Sequence, residues 1–198
     1  MTIETIILLI LSYLIGAIPF SFIIARQLRG VDLRYVGEGN VGARNVWHIV
    51  GKKWGIIAAL LDASKGLLVF FVAHWLSSSL IITWLAGVCV IMGHDFPIFL
   101  KGLGGKGAAS AVGFLLGMYP FPILCSSMIM LALYVITKDF HIAVSIGMAS
   151  LILLWLPLFG AQWQEMIIAS GFLLILGIKR IIDEPHMRRI RQQSGWED

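Results

Sequence analysis

Long apolar runs alternate along this chain with short segments rich in glycine, proline and charge. The apolar runs fall at about 5–25, 55–76, 80–100, 108–119, 122–137, 142–159 and 165–179. A helix crossing the hydrocarbon of a bilayer needs roughly 20 such residues, and shorter runs suffice where neighbouring helices shield the backbone. The pattern therefore predicts an all-α, polytopic membrane protein with seven transmembrane helices. Between the fourth and fifth runs, Tyr119-Pro120-Phe121-Pro122 reads either as a turn or as a kink in one longer helix.

Charge separates these two readings. With seven spans and an external N-terminus, the internal segments are 26–54, 101–107, 138–141 and 179–198, and they contain fourteen of the fifteen Lys and Arg residues. The fifteenth, Lys65, lies inside the second run, and the external loops carry none. Merging the fourth and fifth runs would export Lys138 and the basic tail with Lys179, Arg180, Arg188, Arg189 and Arg191. Cations concentrate on the cytoplasmic side of membrane proteins, so the expectation is seven spans, N-terminus out and C-terminus in.

Composition agrees with a lipid solvent. The chain is 59% hydrophobic and only 13% charged, with a mean hydropathy of +0.90, whereas soluble domains carry about 25% charged residues. A net charge of +4 without a basic-aromatic block gives no sign of a nucleic-acid partner. No internal repeat is visible, which argues against inverted-repeat transporters, and no linker divides residues 1–198, so a single domain is expected. Met1 to Glu4 lacks the basic region of a cleaved signal, so the first span is expected to be retained. Cys89 and Cys125 sit in apolar runs and read as small core residues.

Three polar elements share the internal side. The first is Gly37-Glu38-Gly39-Asn40-Val41-Gly42-Ala43-Arg44-Asn45. Glycines allow backbone conformations that present successive N–H groups to phosphate oxygens, although a flexible turn fits the same residues. The second ends in Gly104-Gly105-Lys106-Gly107 at the start of a helix. Amides, helix dipole and ammonium together suit an anion; a helix break with a snorkelling lysine is the bland reading. A second glycine loop on the same face favours the anion site, and the spacing is not that of a Walker A motif. The third is Asp62-Ala63-Ser64-Lys65-Gly66, where Asp62 and Lys65 share a helix face. It reads as a pair that orients the loops ahead of one that touches substrate.

None of His48, His74, His94, His141 and His186 stands at metal-ligand spacing from another, so no metal is implied. No His-x4-Asp dyad occurs, which disfavours acyltransferases that use acyl-thioesters.

In their order and spacing these residues resemble the bacterial integral-membrane acyltransferases that move an acyl group from acyl phosphate to glycerol 3-phosphate. The match includes Ile18-Pro19-Phe20-Ser21, Gly30-Val31-Asp32-Leu33-Arg34, the glycine–asparagine loop, Leu61–Gly66 and Gly93-His94-Asp95-Phe96-Pro97-Ile98-Phe99-Leu100, and ends at Gly107. The resemblance implies seven spans in the bacterial inner membrane and a site facing the cytoplasm. It also implies lysophosphatidic acid as product, an acyl chain lying among membrane lipid, no cofactor and no obligate protein partner. It assigns Lys106, Gly104, Gly105 and Gly107 to one phosphate, with Lys101 beside them. Gly39, Asn40, Gly42, Arg44, Asn45 and His48 go to the other, and His186 or His141 to proton transfer. The chain departs from the family's Gly-Ser-Gly-Asn-x-Gly-Ala-Thr-Asn loop at Glu38, Arg44 and, three residues on, His48, where the family has Ser, Thr and Arg. Lys138-Asp139-Phe140-His141 replaces Arg-Tyr-x-Ser, and Arg189 replaces an asparagine; Arg44 and Arg189 restore positive charge in new positions. The competing readings are a small membrane anion transporter or channel, and a paralogue with an altered acceptor or none.

Overall fold

The computed structural model describes residues 2–196, and for Phe140 and His141 the backbone alone. Each predicted apolar run is helical, with boundaries that differ in instructive ways. The first run is broken: α1 (Ile3–Ala17) ends two residues before Pro19, and α2 (Phe20–Arg29) begins after it. Proline pushes the preceding residue out of the helical region, and Ile18 is extended, with ψ 114°. Next come the irregular segment 30–42, α3 (Ala43–Ile49), α4 (Lys52–Leu76), α5 (Leu80–Asp95) and a 3-10 turn at Ile98–Leu100. The fourth and fifth runs are separate helices, α6 (Ala108–Met118) and α7 (Pro120–Thr137). The sixth is α8 (Phe140–Ser150), a π segment (Leu151–Trp155) and a short α9 (Leu156–Leu158). The last helix, α10 (Trp163–Ser194), runs 32 residues and carries the basic tail with it. That extension needs no apolar run: the tail is rich in strong helix formers, and Met187 and Ile190 bury one face of it.

Among the described residues, four helical stretches are long and apolar enough to cross a membrane: Ile3–Arg29, Lys52–Leu76, Leu80–Leu100 and Pro120–Thr137. Shorter apolar helices lie at Ala108–Met118 and Ile142–Leu158.

The chain forms two compact units. One comprises the residues up to Phe114 together with those from Leu176 onward; the other is Leu115–Ile175. In the first, helices approach closely enough to require glycine. A Cβ at Gly16 would stand 2.1 Å from the Val90 carbonyl oxygen, and one at Gly66 would stand 2.0 Å from that of Ser110. Small residues allow such crossings where no hydrophobic force drives helices together. Ile24, Ala25, Leu33, Val41, Val46, Val50, Ala58 and Leu100 form a core under the polar loops. In the second unit, α7 packs on α8, and Ser126 Oγ donates to the Gly147 carbonyl at 2.5 Å.

Candidate active site

The glycine–asparagine loop is organised by one side chain. Asn45 is fully buried at the start of α3. Its Oδ1 accepts the Glu38 N–H at 3.1 Å, and its Nδ2 donates to the carbonyls of Asn40, Val36 and Leu33 at 2.9, 3.0 and 3.1 Å. Gly37 and Gly39 have φ of 59° and 72°, values that glycine reaches without the Cβ penalty. Asn40 Oδ1 accepts the Gly42 N–H at 3.1 Å. The sequence assigned Asn45, Asn40 and the Gly42 amide to substrate, but their polar atoms go to the loop itself. They hold the loop in its shape.

Glu38 is 2% exposed. Its Oε1 lies 3.2 Å from Arg44 Nη1, and its Oε2 accepts from Asn40 Nδ2 at 3.4 Å. The loop is tied to the second glycine segment by a bond from Val41 N to the Gly104 carbonyl at 3.3 Å.

In that second segment, Gly104 N donates to the Asp95 carbonyl and Gly105 N to the His94 carbonyl, at 3.3 and 3.1 Å. A Cβ at Gly105 would stand 2.0 Å from His94 Nε2. The sequence reading gave these two amides to phosphate; here they dock the loop against the end of α5, and their glycines are needed for close approach. Lys106 differs. Half-buried, it has no hydrogen-bond or ion-pair partner among the described residues. Burial pushes its ammonium below the usual lysine range; Arg180 and Arg44 push the same way, and Glu38 and Glu184 oppose them. An accessible ammonium among cations, two residues ahead of α6, is what an anionic headgroup needs.

Beneath the loops lies a polar cluster inside the helices. Asp62 Oδ1 is 2.9 Å from Lys65 Nζ and 3.5 Å from His94 Nδ1, and Ser21 Oγ donates to Asp62 Oδ2 at 3.2 Å. Lys65 also donates to the Gly16 and Ile18 carbonyls at 2.8 and 3.0 Å. Because the helix breaks at Pro19, Phe20 N bonds Ile18 and leaves the Gly16 carbonyl to the lysine. The cavity here, lined by Asp62, Lys65, His94 and Gly104, measures about 10 Å³, room for about one water. Asp62 and Lys65 spend their polar atoms here on each other, Ser21, His94 and the Gly16 and Ile18 carbonyls.

The tail helix closes the group. The Arg34 carbonyl accepts from His186 Nε2 at 2.8 Å, Ser194 Oγ donates to the Gly37 carbonyl at 3.5 Å, and Ile190 packs on Gly39. Since a carbonyl only accepts, Nε2 is the donor in this bond, and Nδ1 is the ring nitrogen not committed to Arg34. Arg34 itself pairs with Asp32 at 2.6 Å, and the Arg34 hydrogen bond holds the Asp32 carboxyl below its usual range.

The sequence pattern of the family described as glycerol-3-phosphate acyltransferase matches residues 6–192. The chain belongs to that family. It is 36% identical over 194 residues to glycerol-3-phosphate acyltransferase 2 of Dehalococcoides mccartyi, covering 98% of this chain and 90% of the relative. It is 40% identical over 132 residues to the Myxococcus xanthus glycerol-3-phosphate acyltransferase, covering 66% and 69%. The fold matches the crystal structure of PlsY (YgiH), an integral membrane glycerol 3-phosphate acyltransferase, in its glycerol 3-phosphate form. The TM-score is 0.84 at 30% identity, over 98% of this chain and 94% of that one. The lysophosphatidic acid form gives 0.81 at 26% identity, over the same shares.

Several of the residues expected at the site are exposed or turn to other partners. His48 is exposed and meets the Trp196 ring edge-on at 4.8 Å. Lys101 is exposed in the left-handed conformation after the 3-10 turn, and Arg189 is exposed on α10. The side chain of His141 lies outside the described residues. Residues that sequence reasoning gave no role are His94, which seats Gly105, and Arg180 and Glu184, whose charges reach Lys106. The i,i+4 spacing of Arg180 and Glu184 could have flagged them, had the tail been read as a helix. Among the described residues no group of three or more His, Cys, Asp or Glu could hold a metal ion.

Proposed function

We propose that this chain is a bacterial inner-membrane enzyme that transfers an acyl group from acyl phosphate to the 1-hydroxyl of glycerol 3-phosphate. The products are lysophosphatidic acid and inorganic phosphate. The observation carrying this reading is Lys106: an accessible ammonium with no partner of its own among the described residues, near Arg44 and Arg180, in a family whose members bear this name. Residues 1–198 act as one domain of seven spans, N-terminus out, because the cations distribute that way; the pocket then faces the cytoplasm.

In the reaction, the acceptor hydroxyl oxygen attacks the acyl carbonyl carbon, the carbonyl–phosphate C–O bond breaks, and phosphate leaves with the bonding electrons. Lys106 holds phosphate and stabilises charge on the departing oxygens. His186 Nδ1 takes the hydroxyl proton, its ring oriented by the Arg34 carbonyl. Acyl phosphate is already activated, so positioning supplies much of the acceleration. His141 remains a second proton acceptor to test, and no protein partner or cofactor enters the scheme.

The test is reconstitution in vesicles with acyl phosphate and labelled glycerol 3-phosphate. Labelled lysophosphatidic acid that vanishes in Lys106→Ala is the expected result. Phosphate flux without product would establish a transporter instead, and product from another polyol phosphate alone would establish a changed acceptor.

A further inference from the structure

Two departures from the family loop touch each other. Glu38 stands where the family has Ser and Arg44 where it has Thr, and the structure joins them in an ion pair at 3.2 Å whose side chains are 3% and 24% exposed. The electrostatic surroundings of Lys106 contain both. Asn40 Nδ2 contributes only a long bond of 3.4 Å to the same carboxylate. A buried carboxylate this poorly supplied with donors takes any cation within reach, and Lys106, whose charge Glu38 influences, has no partner among the described residues. Removing a single member of such a pair leaves its partner uncompensated.

We propose that Arg44 is a specificity-determining counter-cation: it holds the Glu38 carboxylate, so that the Lys106 ammonium stays open to the phosphate of the substrate. Glu38 and Arg44 thus form one unit that admits a carboxylate into an anion-binding loop without cancelling the loop's function. This deepens the acyltransferase reading and rests on it for the identity of the phosphate ester. The pairing alone predicts how the pocket takes inorganic phosphate.

The experiment is a four-way comparison of wild type, Glu38→Ser, Arg44→Thr and the double variant, using the full chain in detergent. Inorganic phosphate binding is measured by calorimetry, and KM and kcat for glycerol 3-phosphate by product formation. In Arg44→Thr, Glu38 turns to Lys106, so phosphate binding weakens and KM rises by about tenfold or more, with kcat changed far less; contacting charged groups couple this strongly. The same substitution in the Glu38→Ser background costs less than about threefold, because no carboxylate remains to capture the lysine. Glu38→Ser alone binds phosphate as tightly as wild type or more so. Equal cost of Arg44→Thr in both backgrounds overturns the proposal, as does loss of phosphate binding in Glu38→Ser alone. The double variant guards against misfolding: recovery there shows that the single variant failed through Glu38. Absence of acylated product from wild type with the phosphate pattern intact would remove the acyltransferase reading and leave the pairing standing.

Discussion

Lys65 and Lys106 both feel the charge of carboxylates, and their surroundings differ. Lys65 lies inside α4 with its three N–H groups directed at Asp62 Oδ1 and the Gly16 and Ile18 carbonyls. Lys106 lies in a loop, hears Glu38 and Glu184 at a distance, and bonds to neither among the described residues. A saturated ammonium inside a bundle fixes structure. An unsaturated one at an accessible loop has capacity left for a ligand, at a cost in stability that function explains. If the distinction is right, substitutions in the first cluster act on folding and those in the second on activity.

The largest effect is expected at Asp62. Asp62→Ala leaves the Lys65 ammonium buried without its counter-ion, which costs about 3–5 kcal/mol. Thermal unfolding in detergent should show a large drop, with much of it regained in Asp62→Leu/Lys65→Met, where both charges are removed. An unchanged melting temperature for Asp62→Ala would erase the contrast between the two lysines.

Next in size is Lys106→Ala. Removing one preorganised charge aimed at the leaving group lowers kcat/KM by about 10²–10³-fold, and melting should be nearly unchanged because no described bond is lost. A variant that unfolds instead would make Lys106 another structural cation.

A moderate effect concerns pH. Burial holds Lys106 below the usual lysine range, and phosphate is held by its protonated form. The alkaline fall of kcat/KM should therefore begin at lower pH than an ordinary lysine would give. Glu38 raises this pKa, while Arg180 and Arg44 lower it and Glu184 raises it. Removing the carboxylate in Glu38→Ser therefore moves the alkaline limb to lower pH, and a shift upward would contradict the placement of that charge.

How much of this was legible in the sequence follows from the same contrast. Helices in lipid announce themselves by composition, so every apolar run was found and the turn at Tyr119–Pro120 was separated by charge alone. The site was harder because glycine and asparagine patterns are ambiguous. They say that a backbone turns tightly, without saying whether its amides face a ligand or another strand of chain. Gly104, Gly105 and Asn45 were read as ligand-facing, and they serve contacts with His94, Asp95 and the loop carbonyls. The helical tail was invisible to hydropathy because its buried face is only Met187, Ile190 and their neighbours. That hid Arg180 and Glu184.

The smallest effect tests whether the tail's hold on the loop matters. Arg34 accepts His186 on its carbonyl while its guanidinium and N–H engage Asp32, at 2.6 and 3.0 Å for the closest contacts. This pair is partly exposed, and such pairs contribute about 0–1 kcal/mol. Asp32→Asn retains an acceptor for the Arg34 N–H and loses the charge. Melting should fall slightly at neutral pH, and kcat should fall by less than about threefold, since one neutral hydrogen bond suffices to hold a turn. The Asp32 carboxyl titrates below its ordinary 3.8 in the folded chain. Its stabilisation is therefore complete above that ordinary value and is lost as pH falls through the lower, folded one. The gap between wild type and variant should accordingly stay level at neutral pH and close in acid. A larger loss of kcat than of stability would mean that the Asp32–Arg34 turn aims His186 more tightly than an exposed pair has energy to do, and would move this turn from the supporting wall into the reactive group.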